Sequence, residues 1–85
     1  MIKFLYFVFF NRLAIRQAAE ENQFEVVYYL LMKKTKIDDD LFNDCENMDK
    51  IAIPPTITSI GNRSFENCSS ITEVSIPSSI NTIGK

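Results

Sequence analysis

The chain has 85 residues, room for one small domain or pieces of two, and its 46% hydrophobic and 24% charged residues exclude wholesale disorder and a chain built mainly for a membrane. A formal net charge of -2 and a pI near 5.0 provide no clustered cationic surface for a polyphosphate, so nucleic acid is not an expected partner. There is no histidine, and the only cysteines, Cys45 and Cys68, are too few for a disulfide scaffold and lack the paired spacing of a zinc site.

Residues 1–10 form an apolar segment in which Phe4, Leu5, Tyr6, Phe7, Val8, Phe9 and Phe10 follow Lys3 without a break. That run is far below the roughly 20 residues needed to cross a bilayer, so no transmembrane span is expected. Its length suits the hydrophobic stretch of a secretory signal, about 7 to 15 residues, yet no small-x-small cleavage site follows. The other readings are a first packed helix or strand, or the mark of a truncated gene product.

Residues 11–40 have a helical period. Leu13, Ala14, Gln17 and Ala18 fit one helix, and Phe24, Val26, Val27, Leu30 and Leu31 recur at the intervals of a second, amphipathic one. Between them Glu20, Glu21, Asn22 and Gln23 are polar, with Asn22 placed to stop the first helix or cap the next. The spacing predicts two short antiparallel helices. Lys33, Lys34 and Lys36 are followed at once by Asp38, Asp39 and Asp40, so the charges cancel within a Debye length of about 8 Å and read as a solvated connecting loop. The aspartates lack the alternate spacing, turn glycine and distal glutamate of an EF-hand.

From Leu41 onward the chain repeats itself. Leu41 to Asn62 aligned on Ser64 to Lys85, at an offset of 23 residues, pairs Phe42 with Phe65, Cys45 with Cys68, Ile53-Pro54 with Ile76-Pro77, Ile57 with Ile80, Ile60 with Ile83 and Gly61 with Gly84. A period of 23 lies within the roughly 20 to 29 residues of leucine-rich repeats. In Met48-x-x-Ile51-x-Ile53 and Ile71-x-x-Val74-x-Ile76 the alternation predicts a strand that turns Ile51 and Ile53 inward. By the same parity Lys50, Ala52, Glu73 and Ser75 point outward, and they form the candidate partner-binding face. Pro54 and Pro77 end the strands, Ile57 and Ile60 return the chain to the core, and Gly61 and Gly84 permit a tight turn. The three-residue spacing of Phe65 and Cys68 puts both on one side of a short helical turn. Cys45 and Cys68 occupy equivalent places, which favours two stacked, buried thiols over a disulfide or reactive pair.

The elements IPPTITSIG and SFENCSSITEVSIPSSINTIG resemble the BspA-type leucine-rich repeats of bacterial and protist surface or interaction proteins. The resemblance covers roughly Leu41 to Lys85, with Asp44, Glu46 and Asn47 replacing the usual small residues around the first cysteine, as in a degenerate capping repeat. AIRQAAEENQFEVVYYLLMKKTKIDDD resembles an ankyrin repeat through Ala18-Ala19, the Asn22 turn and the run from Glu25 to Leu31, although the opening Thr-Pro-Leu-His is absent and Gln23 replaces the turn glycine. The alternative is an ordinary helical hairpin capping the array. The implied fold is an α+β repeat protein, an ankyrin-like helical hairpin at 11–40 followed by a short leucine-rich-repeat β-solenoid of two repeats at 41–85.

Without histidine the usual general base near neutral pH is missing, and with Gly61 and Gly84 as the only glycines no phosphate loop can form. The chain is expected to be no enzyme and to need no cofactor. The leading expectation is a protein-interaction or scaffolding module with a protein partner, placed in the cytoplasm because ankyrin repeats are mostly intracellular. The alternatives are a secreted or surface adhesion protein, in which the sequons Asn62-Arg63-Ser64 and Asn67-Cys68-Ser69 would matter, and a gene fragment without a function of its own. Stacked repeats lean on their neighbours, so an open carboxy-terminal edge and marginal stability are also expected.

Overall fold

The computed structural model describes residues 12–84. The apolar segment Met1 to Phe10, with its signal-peptide reading, lies outside the described residues. Helix α1 (Arg12–Glu20) buries Ala14, Ile15, Ala18 and Ala19. Leu13 and Gln17, expected on that face, are instead exposed, Leu13 at 72%. The buried stripe is turned by one residue because the small side chains Ala14, Ala18 and Ala19 let the helix sit close to its neighbour, with Ile15 filling the space between.

Asn22 ends α1. It adopts the left-handed conformation, φ 56°, while its N–H donates to Ala19 C=O at 3.0 Å and the Gln23 N–H to Ala18 C=O at 3.0 Å. This is a Schellman arrangement with asparagine in the position glycine usually holds. The Asn22 side chain also accepts a bond from the Asp49 N–H at 3.1 Å, pinning the turn to the segment that follows it much later in the chain. Helix α2 (Phe24–Leu31) then buries Val27, Leu30 and Leu31, and its N-cap residue, Gln23, makes no side-chain capping bond.

Five short strands follow: β1 (Lys36–Ile37), β2 (Lys50–Ala52), β3 (Ser59–Ile60), β4 (Glu73–Ser75) and β5 (Thr82–Ile83). They form two parallel sheets, β1-β3-β5 and β2-β4. Each pairing joins residues one period apart: Ile37 with Ile60, Ile60 with Ile83, and Ile51 with Val74. The β2-β4 ladder follows from the alternation around Ile51. The β1-β3-β5 sheet does not, because Ile57 and Ile60 read only as a return to the core. Its first member, Lys36–Ile37, precedes residue 41, so the periodic pairing reaches back into the segment that composition groups with the helices.

Between strands the chain turns by successive i to i+3 bonds, Cys45 N–H to Phe42 C=O at 3.1 Å and Cys68 N–H to Phe65 C=O at 3.3 Å, the short helical turn expected there. Phe42 and Phe65 stack with ring centroids 5.4 Å apart. One hydrophobic cluster unites Ala18, Val27 and Leu31 of the helices with Phe42, Cys45, Met48, Ile51 and Ile57 of the first coil. The second coil covers the first but is not itself covered within the described residues. Ile51, Ile53 and Ile60 are 3–5% exposed, whereas their equivalents Val74, Ile76 and Ile83 are 48%, 52% and 62% exposed.

The glycines serve a different purpose from the one their turn position suggests. Positive φ falls on Asp40, Asp44, Arg63 and Asn67, again in pairs one period apart, and on neither glycine. A Cβ on Gly61 would collide with Asp39 Oδ1 and lie 2.6 Å from the Asp39 nitrogen, so Gly61 is required by the close approach of one coil to the next. Gly61→Ala is therefore expected to lower the unfolding free energy by about 2–3 kcal/mol, the range of an overpacked site, in urea titration. Gly84→Ala makes the same clash at the outer coil, which is free to shift, and should cost less.

Candidate interaction face

The face picked out by alternation is built by the β2-β4 ladder. Lys50 lies beside Glu73 and Ala52 beside Ser75 in the parallel register, so all four candidate residues share one side of the sheet. Glu73 and Ser75 are exposed, whereas Lys50 and Ala52 are only partly so, a departure from the open surface expected for them. Lys50 is covered by Phe24 at the start of α2, whose ring centroid lies 4.2 Å from the Lys50 ammonium. Such a contact holds a lysine through the negative face of the ring and keeps its charge accessible at the rim. Phe24, the four candidates, Ile51 and Val74 line one shallow depression. Phe24 escapes a reading of the repeats alone, since it belongs to the helical segment and looks like an ordinary core position.

The acidic run after the helices is wired into the fold and does not project freely into solvent. Asp39 Oδ1 accepts the Asn62 N–H at 2.8 Å, and Asp40 accepts from Arg63 Nε at 3.0 Å and Nη2 at 3.2 Å. Lys34 pairs with Asp38 at 3.5 Å. The Arg63 hydrogen bonds hold the Asp40 carboxyl below the ordinary aspartate range, helped by the charges of Arg63 and Arg12. Four residues further along the same two coils, Asn67 Nδ2 donates to Asp44 Oδ1 at 2.8 Å. These residues position coils. Among the described residues no group of three His, Cys, Asp or Glu side chains is arranged to hold a metal ion.

Both cysteines are free thiols. Cys45 is fully buried, and burial pushes its thiol up to about 11. Cys68 is half-buried and shifted in the same direction for the same reason, and its Sγ–H donates to Phe42 C=O at 3.0 Å, a further tie between coils.

The family model for the BspA type leucine-rich repeat region (6 copies) matches residues 29–85. The chain belongs to this family. Comparison with curated proteins and with solved structures finds no match. The BspA-type region begins at Tyr29, within α2, and takes in all five strands, so the β1-β3-β5 ladder lies inside it. Among the described residues no helix is long and apolar enough to cross a membrane.

The buried thiol makes a pH prediction. A group whose folded pKa is raised stabilises the fold fully below its unfolded pKa, about 8.5, and that contribution is lost as pH rises through the folded value. Stability should therefore be flat across this group's range up to about pH 8.5 and fall as pH climbs toward 11. Cys45→Ala should flatten the fall, measured as urea midpoint against pH.

Proposed function

We propose that this chain is a non-enzymatic protein-interaction module whose contact surface is the β2-β4 face with Phe24 at its border. Membership of the BspA-type family supports an interaction role. The observation that carries the reading is the convergence of Lys50, Ala52, Glu73 and Ser75 with a partly exposed aromatic ring in one depression. A face of this kind offers an aromatic anchor, a small-residue floor and one charge of each sign, which suits a protein surface better than a small metabolite. Residues 11–40 are read as an ankyrin-like hairpin and residues 41–85 as the start of a β-solenoid, which together would present an extended surface. The proposed setting is cytoplasmic.

Affinity capture with the full chain, followed by titration of the recovered partner, tests this assignment. Glu73→Lys leaves the fold intact and should weaken the partner by roughly tenfold, and Lys50→Glu by at least as much since it also loses the ring contact. Unchanged affinity in both variants would move the contact surface elsewhere.

The second reading is a secreted or surface adhesion protein, and the two sequons favour it unequally. Asn67 is exposed on a turn, whereas Ser64 of the other sequon is buried and bonds Asp38 C=O at 3.1 Å and Gly61 C=O at 2.8 Å. Asn62 itself packs its side-chain oxygen against Gly84. In a eukaryotic secretory host, folded product from this second setting is expected to carry glycan on Asn67 and none on Asn62, read by intact mass and peptide mapping. An unprocessed, unglycosylated mass would favour the cytoplasmic setting.

A further inference from the structure

The ladder between coils has a direction. Along the turn segment, N–H groups of the first coil donate to carbonyls of the second: Asp40 to Asn62 at 2.9 Å, Phe42 to Ser64 at 2.9 Å and Asp44 to Glu66 at 2.8 Å. One period of 23 residues earlier, the carbonyls equivalent to Asn62, Ser64 and Glu66 are those of Asp39, Leu41 and Asn43. A preceding coil would supply their donors, but the residues one period before Asp40, Phe42 and Asp44, namely Gln17, Ala19 and Glu21, lie in α1 or directly after it. Backbone carbonyls at a packed edge need a partner from some source.

Their partners are two arginines of α1. Arg12 Nη1 donates to Asp39 C=O at 3.1 Å, Arg16 Nη1 to Leu41 C=O at 2.8 Å and Arg16 Nη2 to Asn43 C=O at 2.8 Å. Arg12 Nη2 adds Asp40 C=O at 2.8 Å, with Arg16 Nη1 more distant from the same oxygen at 3.4 Å. The carbonyls engaged thus include all three that a preceding coil would engage. The four-residue spacing of Arg12 and Arg16 sets both on one side of α1, and Ala14, Ile15, Ala18 and Ala19 anchor that helix to the shared core.

We propose that Arg12 and Arg16 are the end cap of the repeat array, their guanidinium donors standing in for the backbone N–H groups of an absent coil. The cap closes the amino-terminal edge to coil addition. At the opposite edge the N–H groups of Phe65 and Asn67, equivalent to those of Phe42 and Asp44, have no backbone partner among the described residues and are placed to donate to the carbonyls of a following coil. Any further coil, of this or another chain, therefore docks after the second coil and not before the first. This does not depend on the interaction-face reading.

A guanidinium is suited to the task because its planar fork reaches two separate carbonyls at once, which the compact lysine ammonium cannot reproduce. The competing explanation is charge alone, since Arg12 and Arg16 lie beside the acidic run. Arg16→Lys and Arg16→Met, made in the full chain and compared by urea titration at neutral pH, separate the two. If the fork is required, both variants lower the folding equilibrium constant by about tenfold or more and agree within about threefold, since two charge-assisted bonds are lost in each. If Arg16→Lys stays within about threefold of the parent while Arg16→Met does not, charge suffices and the proposal fails. It fails equally if Arg16→Met has no effect. Should the Arg16 variants not fold, Arg12→Lys and Arg12→Met at the exposed position decide by the same comparison.

Discussion

The hydrogen-bond ladder that joins residues 23 apart, such as Ile37 with Ile60 and Ile60 with Ile83, is the constraint to which the other features of this structure answer. A parallel ladder fixes the distance between successive coils, and that distance leaves no room for a Cβ at Gly61. It stacks Phe42 on Phe65, aligns Asp39 to receive the Asn62 N–H, and lets Cys68 reach the Phe42 carbonyl. Each coil alone is a chain of i to i+3 turns and strands of two or three residues, far too little to bury its own apolar side chains. Stability comes from the neighbour on either side. The helical pair supplies one neighbour and the second coil the other, so the first coil is buried on both faces and the second on one.

That asymmetry explains which parts of the fold were legible in the sequence. Residues whose chemistry repeats, such as Ile51, Ile53, Gly61 and Phe42, announce the period and the β2-β4 face because identical neighbours impose identical demands. Residues that close the array do not repeat, and no period exposes them. Arg12 and Arg16 look like the polar side of a helix, Asp39 and Asp40 like a solvated run, and Lys36–Ile37 too short to read as a strand. Their roles depend on carbonyls and amides that become neighbours only after the coils stack. The one-residue turn of the α1 stripe, which buries Ile15 and Ala19 and leaves Leu13 and Gln17 exposed, has the same origin, since it depends on the elements packed against the helix. The four candidate face residues were legible, but Phe24 beside them was not, because it arrives from a helix.

Parallel strands present the side chains of the β2-β4 face at a fixed pitch, Lys50 beside Glu73 and Ala52 beside Ser75. Lys50, held against Phe24, and Glu73 beside it form a charged border to an apolar depression. The floor behind that face rests on the hydrophobic cluster shared by the two helices and the first coil.

Native-state amide hydrogen exchange measures that dependence most directly. If the helices and the first coil are one cooperative unit, the amides of Leu30, Leu31, Ile51 and Ile60 should exchange through a single opening, with a common free energy and a common response to denaturant, while those of Val74 and Ile83 in the outer coil open more easily. Protection of α1 and α2 that persists when the first coil has opened would show that the helices fold without the repeats, and would contradict the account.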